Sequence, residues 1–142
     1  MKNFIITVLL ALVFSSMHAQ SYEGKGDSKI NLGYEIYGIG PGIKASYDYG
    51  LGELFSVGAG ATFYIDNEDQ DYFIYGRTNI HLGIVWDLPA ELDIYPGVEL
   101  GFKSSSEVGF TGYLGVRYCI SKRLSLFAEI GNYGSAGVSI DV

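Results

Sequence analysis

The chain has 142 residues, 16 acidic and 9 basic side chains, one cysteine, 20 glycines and 12 tyrosines. A net charge of −7 argues against nucleic acid and other polyanionic partners, which need a basic face. A single cysteine rules out an intramolecular disulfide, and high Gly and Tyr with only 3 prolines is not the composition of a strongly helical protein.

The chain opens with Lys2 and the apolar run Phe4 to Phe14, then turns small and polar from Ser15 through Ala19 to Gln20. That order is a secretory signal, too short to cross a bilayer as a helix. The expected organisation is a signal peptide at 1–20, cut after Ala19 or Gln20, and one domain at 21–142. Cys119 reads as a small residue, buried or facing a lumen.

Period-2 alternation then predicts strands at 29–37, 43–49, 54–65, 72–86, 92–102, 108–120, 124–131 and 136–142. Between them lie Gly-rich or polar turn compositions: 38–42, 50–53, 66–71, 87–91, 103–107, 121–123 and 132–135. One face of every strand is bulky and uncharged, as in Ile30-Leu32-Tyr34-Ile36 or Phe55-Val57-Ala59-Ala61-Phe63. The other face gathers the strand charges: Lys29, Glu35, Lys44, Asp48, Arg77, Asp93, Glu99, Arg117, Glu129 and Asp141, with His81 among them. Gly33, Gly58, Gly60, Gly83, Gly97, Gly101, Gly109 and Gly115 share that face.

Volume decides which face is inside. A barrel of about eight strands is just wide enough for its inward side chains, and the bulky face would overfill it. The Gly-rich charged face fits, so the apolar face must point out, where lipid solvates it cheaply. The fold class expected is therefore all-β: an antiparallel up-and-down transmembrane β-barrel of about eight strands. Tyr49, Trp86 and Tyr118 fall near strand ends at one rim, and Tyr34, Tyr72 and Phe110 toward the other, as membrane-interface aromatics do. With both termini periplasmic, the turns at 50–53, 87–91 and 121–123 share that side and the other connections face outward.

Pro96 interrupts the fifth segment, and a bulge at Tyr95-Pro96-Gly97 is the expected accommodation. Segments 43–49 and 136–142 are shorter than a tilted spanning strand requires.

The signal ending Ala19-Gln20, the run of short amphipathic strands and the segment Tyr95-Pro96-Gly97-Val98-Glu99-Leu100-Gly101 resemble small bacterial outer-membrane β-barrel families, mostly of uncharacterised function. The resemblance covers the whole mature chain and implies a charged, plugged interior, outer-membrane lipid as surroundings and insertion by the barrel-assembly machinery. Members commonly end in an aromatic residue, and Val142 departs from that pattern. No motif with an assigned role carries over.

Chemistry is sparse. His81 is the only histidine after the signal. A Ser-His-Asp arrangement of the lipid-modifying kind would need it near the outer rim, whereas it falls in the lower half of the fourth segment and reads as a hydrogen-bonded lumen residue. Asp66, Glu68, Asp69 and Asp71 form an acidic loop without the glycine and terminal glutamate of a Ca²⁺ loop. The expectations are no catalytic, cofactor-binding or metal-binding residues, no cofactor, and a monomeric structural protein of the envelope. The competing possibilities are a soluble barrel or sandwich holding a small apolar ligand with the bulky face inside, a narrow channel, and a lipid-modifying enzyme.

Overall fold

The computed structural model describes residues 20–65 and 67–142. The expected signal peptide thus lies outside the described residues up to Ala19, as does Asp66 of the acidic loop. Eight strands follow one another: β1 Ser28–Tyr37, β2 Gly42–Gly50, β3 Phe55–Tyr64, β4 Tyr72–Ile80, β5 Leu92–Lys103, β6 Val108–Cys119, β7 Leu124–Gly131 and β8 Gly134–Asp141. Each pairs antiparallel with its neighbours, and β1 pairs with β8, closing the barrel. The two segments that looked short gain residues at their ends, because Gly42, Gly50 and Gly134 extend the ladders.

Alternation sets the burial. β4 reads exposed and buried in strict turn, Tyr72, Ile74, Gly76, Thr78 and Ile80 outward and Phe73, Tyr75, Arg77 and Asn79 inward. The charges point into the barrel and the aliphatic side chains away from it: Arg77, Arg117, Glu99 and Glu129 are buried while Ile74, Leu100, Phe110 and Leu126 are exposed. A bulky core with charges outside, as an apolar-ligand carrier requires, is the inverse of this arrangement.

Two expectations are corrected. The fourth strand stops at Ile80, and residues 82–88 wind into one helical turn. The Trp86 N–H donates to the Leu82 carbonyl, Asp87 to Ile84 and Leu88 to Gly83. Asp87 is left-handed at φ 51°, which is the Schellman ending of a helix. The cause lies in Ile84-Val85-Trp86: three apolar residues in a row cannot alternate, and continuing the strand would drive Val85 into the charged lumen. As a turn, all three stay exposed.

The second correction is at Pro96, where no bulge forms. The β5–β6 register runs unbroken from Leu92↔Tyr118 to Phe102↔Val108. Pairing with β4 stops at Asn79↔Gly97, so the residue that lacks an N–H sits beside the end of the β4 ladder. The register shift of this barrel falls instead between Glu35 and Tyr37 of β1, against β8.

A strap of residues 21–27 precedes β1 and folds across the mouth where the start of β1 meets the end of β8, called here the terminal mouth. Ser21 N–H donates to the Ala90 carbonyl, Gly26 N–H to Gly50, and Gly50 N–H to Asp27. Gly50 has to be glycine, because a Cβ there would strike the Gly24 carbonyl. Ser21 and Tyr22 are buried.

Candidate functional site: the packed lumen and its terminal mouth

Ten of the eleven charged or histidine residues read from the sequence as lumen-facing are buried; Asp141, at the terminal rim, is half-buried. The centre is an ion-paired cluster contributed by β2, β4, β5, β6 and β7. Lys44 Nζ lies 2.6 Å from Glu99 and 3.5 Å from Glu129. Arg77 reaches Glu129 at 2.6 Å, Asp48 at 3.3 Å and Glu99 at 3.5 Å, and Arg117 reaches Asp48 at 3.7 Å. Three cations thus face three carboxylates, the condition under which buried charge is tolerated. Arg117 also donates to Asn31 Oδ1 at 3.2 Å and Ser139 Oγ at 3.1 Å. Nearer the terminal mouth, Lys29 pairs with Asp27 and Asp141. Glu35, toward the distal mouth, makes no salt bridge among the described residues; Thr62 Oγ1 donates to it at 3.4 Å.

Aromatic rings fill the rest of the lumen. Tyr95, Tyr113 and Tyr133 form a buried cluster, and the Tyr133 hydroxyl donates to Glu129 at 2.7 Å and lies 3.0 Å from Glu99. Lys44 Nζ stands 3.7 Å from the centre of the Tyr133 ring, and the Arg117 guanidinium 4.7 Å from that of Tyr95, both cation–π contacts. Facing glycines make the space: Gly97 is the cross-strand partner of Tyr113 and Gly115 that of Tyr95, and a Cβ on either would overlap the ring. Sequence reasoning assigned the charges and the glycines to this face but gave no part to these rings; the pairing of each glycine with an aromatic on the adjacent strand was the available signal.

His81 follows β4 directly and points into the terminal mouth, at 2% exposure. Its Nδ1 lies 2.5 Å from Asp93 Oδ2 and its Nε2 2.8 Å from Ser56 Oγ. A carboxylate at Nδ1 fixes the proton there, so Nε2 accepts the Ser56 hydroxyl. The Tyr22 ring stacks flat on the imidazole, centroids 3.6 Å apart and planes within 7°. Its hydroxyl lies 2.6 Å from the Gly52 carbonyl oxygen and 2.8 Å from that of Phe55. Burial first, then the charges of Asp27 and Asp93, pushes this phenol up to about 12. Neither Ser56 nor Tyr22 was singled out from the sequence: the Ser56–His81–Asp93 constellation exists only once three neighbouring strands are in register.

Free space inside the barrel is scarce, whereas an open groove of about 470 Å³ runs outside the terminal rim between the strap, Lys122, Arg123 and Asp141. A cavity of about 210 Å³ opens at the terminal mouth between Gln20, Tyr22, His81, Asp93 and the 83–92 turn. Inside Tyr22 there remains about 10 Å³, bounded by Lys29, Ser56, His81 and Arg117, and toward the distal end about 30 Å³ beside Glu35 and Tyr133.

The six aromatics assigned to the rims all lie on the outside. Tyr49 and Tyr118 are at the terminal end, and Tyr34, Tyr72 and Phe110 lie toward the distal end. Trp86 is at the terminal end too, on the helical turn and not on a strand. In the acidic loop, Asn67 Oδ1 accepts the Asp69 and Gln70 N–H groups; no metal-holding group of three acidic, His or Cys residues occurs among the described residues. Cys119 is buried, and its thiol donates to the Ser121 carbonyl.

The fold is similar to solved barrels. A de novo designed transmembrane β-barrel superposes with a TM-score of 0.74 at 14% identity, covering 84% of this chain and 98% of that one. The N-terminal β-barrel domain of OprF from Pseudomonas aeruginosa gives 0.62 at 15%, covering 84% and 100%. A second designed barrel, TMB2.3, gives 0.59 at 16%, covering 84% and 97%. No curated protein matches the chain in sequence. A family model described as a family of unknown function (DUF6646) matches residues 12–136.

Proposed function

We propose that the chain, which belongs to the family of unknown function DUF6646, is a small barrel of the bacterial outer membrane with a structural role in the envelope. One observation carries the reading: the outside is a continuous apolar belt while the buried charges all sit within. Ile43, Ile74, Leu100, Phe102, Phe110, Leu126 and Ile130 are each at least half exposed on that belt. Water would penalise such a surface, whereas hydrocarbon solvates it without cost. Strands of 8–12 residues match the belt height: ten residues extend about 33 Å, and a tilt near 40° reduces that to about 25 Å.

The surrounding partners are then outer-membrane lipids, with the assembly machinery acting during insertion. Closure leaves no unpaired edge for a second copy, so the barrel works as a monomer. A lumen filled by ion pairs and tyrosine rings supports an envelope role over conduction, and that role needs no turnover.

Membrane fractionation tests the proposal. The full chain sediments with the outer membrane, and its folded and boiled forms migrate differently on a gel. Recovery as a soluble protein without detergent would overturn it. Steady single-channel current in a planar bilayer would overturn the plugged lumen while leaving the membrane location standing.

A further inference from the structure

Beyond that structural role, we infer that Ser56, His81 and Asp93 form a latent acyl-transfer site at the terminal mouth, with Ser56 as nucleophile and the Tyr22 ring as its lid. Nucleophilic serine chemistry needs a base on the hydroxyl and a third group that orients the base. Here the imidazole stands 2.8 Å from Ser56 Oγ and 2.5 Å from Asp93. The remaining Asp93 oxygen accepts the Gly83 N–H at 3.3 Å, which holds the carboxylate in place.

An oxyanion would also find donors. Asn79 Nδ2 lies 3.2 Å from Ser56 Oγ, and its amide is oriented by Tyr113 and Arg77 on Oδ1. Lys29 and Arg117 border the same small space as Ser56, each beside its own carboxylate, Asp27 and Asp48, so the Asn79 amide is the donor closest to the reacting oxygen.

Access is the missing element, and the strap controls it. Tyr22 and His81 border both the inner space and the 210 Å³ mouth cavity, so the stacked ring is the partition between them. If Tyr22 moves aside, the two spaces join and Ser56 faces a chamber walled by Ile84, Leu88, Pro89 and Leu92, with Asp87 and Asp93 on its polar side. Apolar walls and carboxylates favour a small uncharged acyl ester over an anionic one.

The chemistry balances without another reactant than water. Ser56 Oγ bonds to the ester carbonyl carbon as its proton passes to His81 Nε2. The ester C–O bond breaks, and His81 returns the proton to the departing alkoxide. Water then repeats the sequence and releases the carboxylic acid.

The full chain, folded in detergent micelles, is treated with an alkyl fluorophosphonate, whose phosphorus bonds to an activated serine Oγ as fluoride leaves. The observed rate scales with the open fraction, so Tyr22→Ala is expected to label at Ser56 at least about tenfold faster than wild type. Ser56→Ala in that background abolishes labelling, and Asp93→Asn slows it. Heat-dependent gel mobility verifies that each variant is folded, and peptide mapping locates the adduct. A folded Tyr22→Ala protein that takes no probe at Ser56 would overturn the site. Should Tyr22→Ala not fold, Tyr22→Phe keeps the ring but frees the Gly52 and Phe55 carbonyls. Labelling faster than wild type then supports the site, and labelling no faster overturns it.

Discussion

Replacing Glu129 by Gln tests whether charge balance holds the lumen together. Glu129 is 1% exposed, 2.6 Å from Arg77 and 3.5 Å from Lys44, and it accepts the Tyr133 and Tyr95 hydroxyls at 2.7 and 3.1 Å. Glutamine keeps the shape and one acceptor oxygen but removes the charge. Within the cluster, Lys44, Arg77 and Arg117 would then face only Asp48 and Glu99, leaving one cation without its paired carboxylate. Breaking a buried pair costs about 3–5 kcal/mol, and the retained acceptor oxygen places Glu129→Gln at the lower end, about 3 kcal/mol. Urea titration of the folded protein in lipid vesicles, followed by Trp86 emission and by the heat-dependent gel band, measures it. Glu107→Gln, at an exposed loop position, is the control and should stay within about 0.5 kcal/mol of wild type. Adding Lys44→Met to Glu129→Gln restores the balance and should recover part of the loss. A Glu129→Gln protein within about 1 kcal/mol of wild type would refute the reasoning, since a buried unpaired cation could not be that cheap.

Other outcomes follow from single features. Gly115→Ala would normally stabilise a strand by lowering chain entropy, but here its Cβ meets the Tyr95 ring, so a loss of about 1–3 kcal/mol is expected; urea midpoints should recover when Tyr95→Leu is added. Trp86 is the only tryptophan, and in vesicles its emission should be quenched more by lipids brominated near the headgroup than by those brominated at the chain ends. The reverse order would remove it from the interface. The Tyr22 phenol, held at about 12, is favoured in its neutral form by the folded chain. Its contribution to strap stability is therefore complete below the ordinary value of about 10 and lost as pH rises through about 12. The phenolate absorbance that separates wild type from Tyr22→Phe should accordingly appear near pH 12, and a midpoint near pH 10 would contradict the buried lid.

Much of the barrel was legible because two faces of each strand differ so sharply in chemistry. The uncharged run along Phe55, Val57, Ala59 and Ala61 admits one orientation only once the alternative is seen to overfill the lumen. The end of β4 escaped for a local reason. A strand drawn over 72–86 places Val85 on the charged face, although Ile84-Val85-Trp86 together break the period. Pro96 misled in the opposite direction: its missing N–H falls opposite the last residue of β4, where the ladder is ending, and the Leu82 N–H still reaches the Ile94 carbonyl in the same register. The Ser56–His81–Asp93 relay was out of reach, because those residues are separated by 25 and 12 positions. Their meeting depends on the registers of β3, β4 and β5. His81 alone was visible, and its predicted place on a longer strand hid its neighbours.

The pairing of β1 with β8 turns the hydrogen-bond ladder into a ring, and a ring has no first strand. Lys29 and Asp141 meet across 112 residues of sequence, so no shorter fragment of the chain can satisfy both its edges. Closure is accordingly a single late event: until β8 docks, β1 and β7 each present a row of bare amides and carbonyls that lipid cannot solvate. The same geometry frees the order of synthesis from the order of strands. Linking Val142 to the start of the strap at Ser21 and reopening the chain at the 104–107 connection would preserve every strand-to-strand neighbour. Such a permuted chain keeps the same barrel with a different final seam.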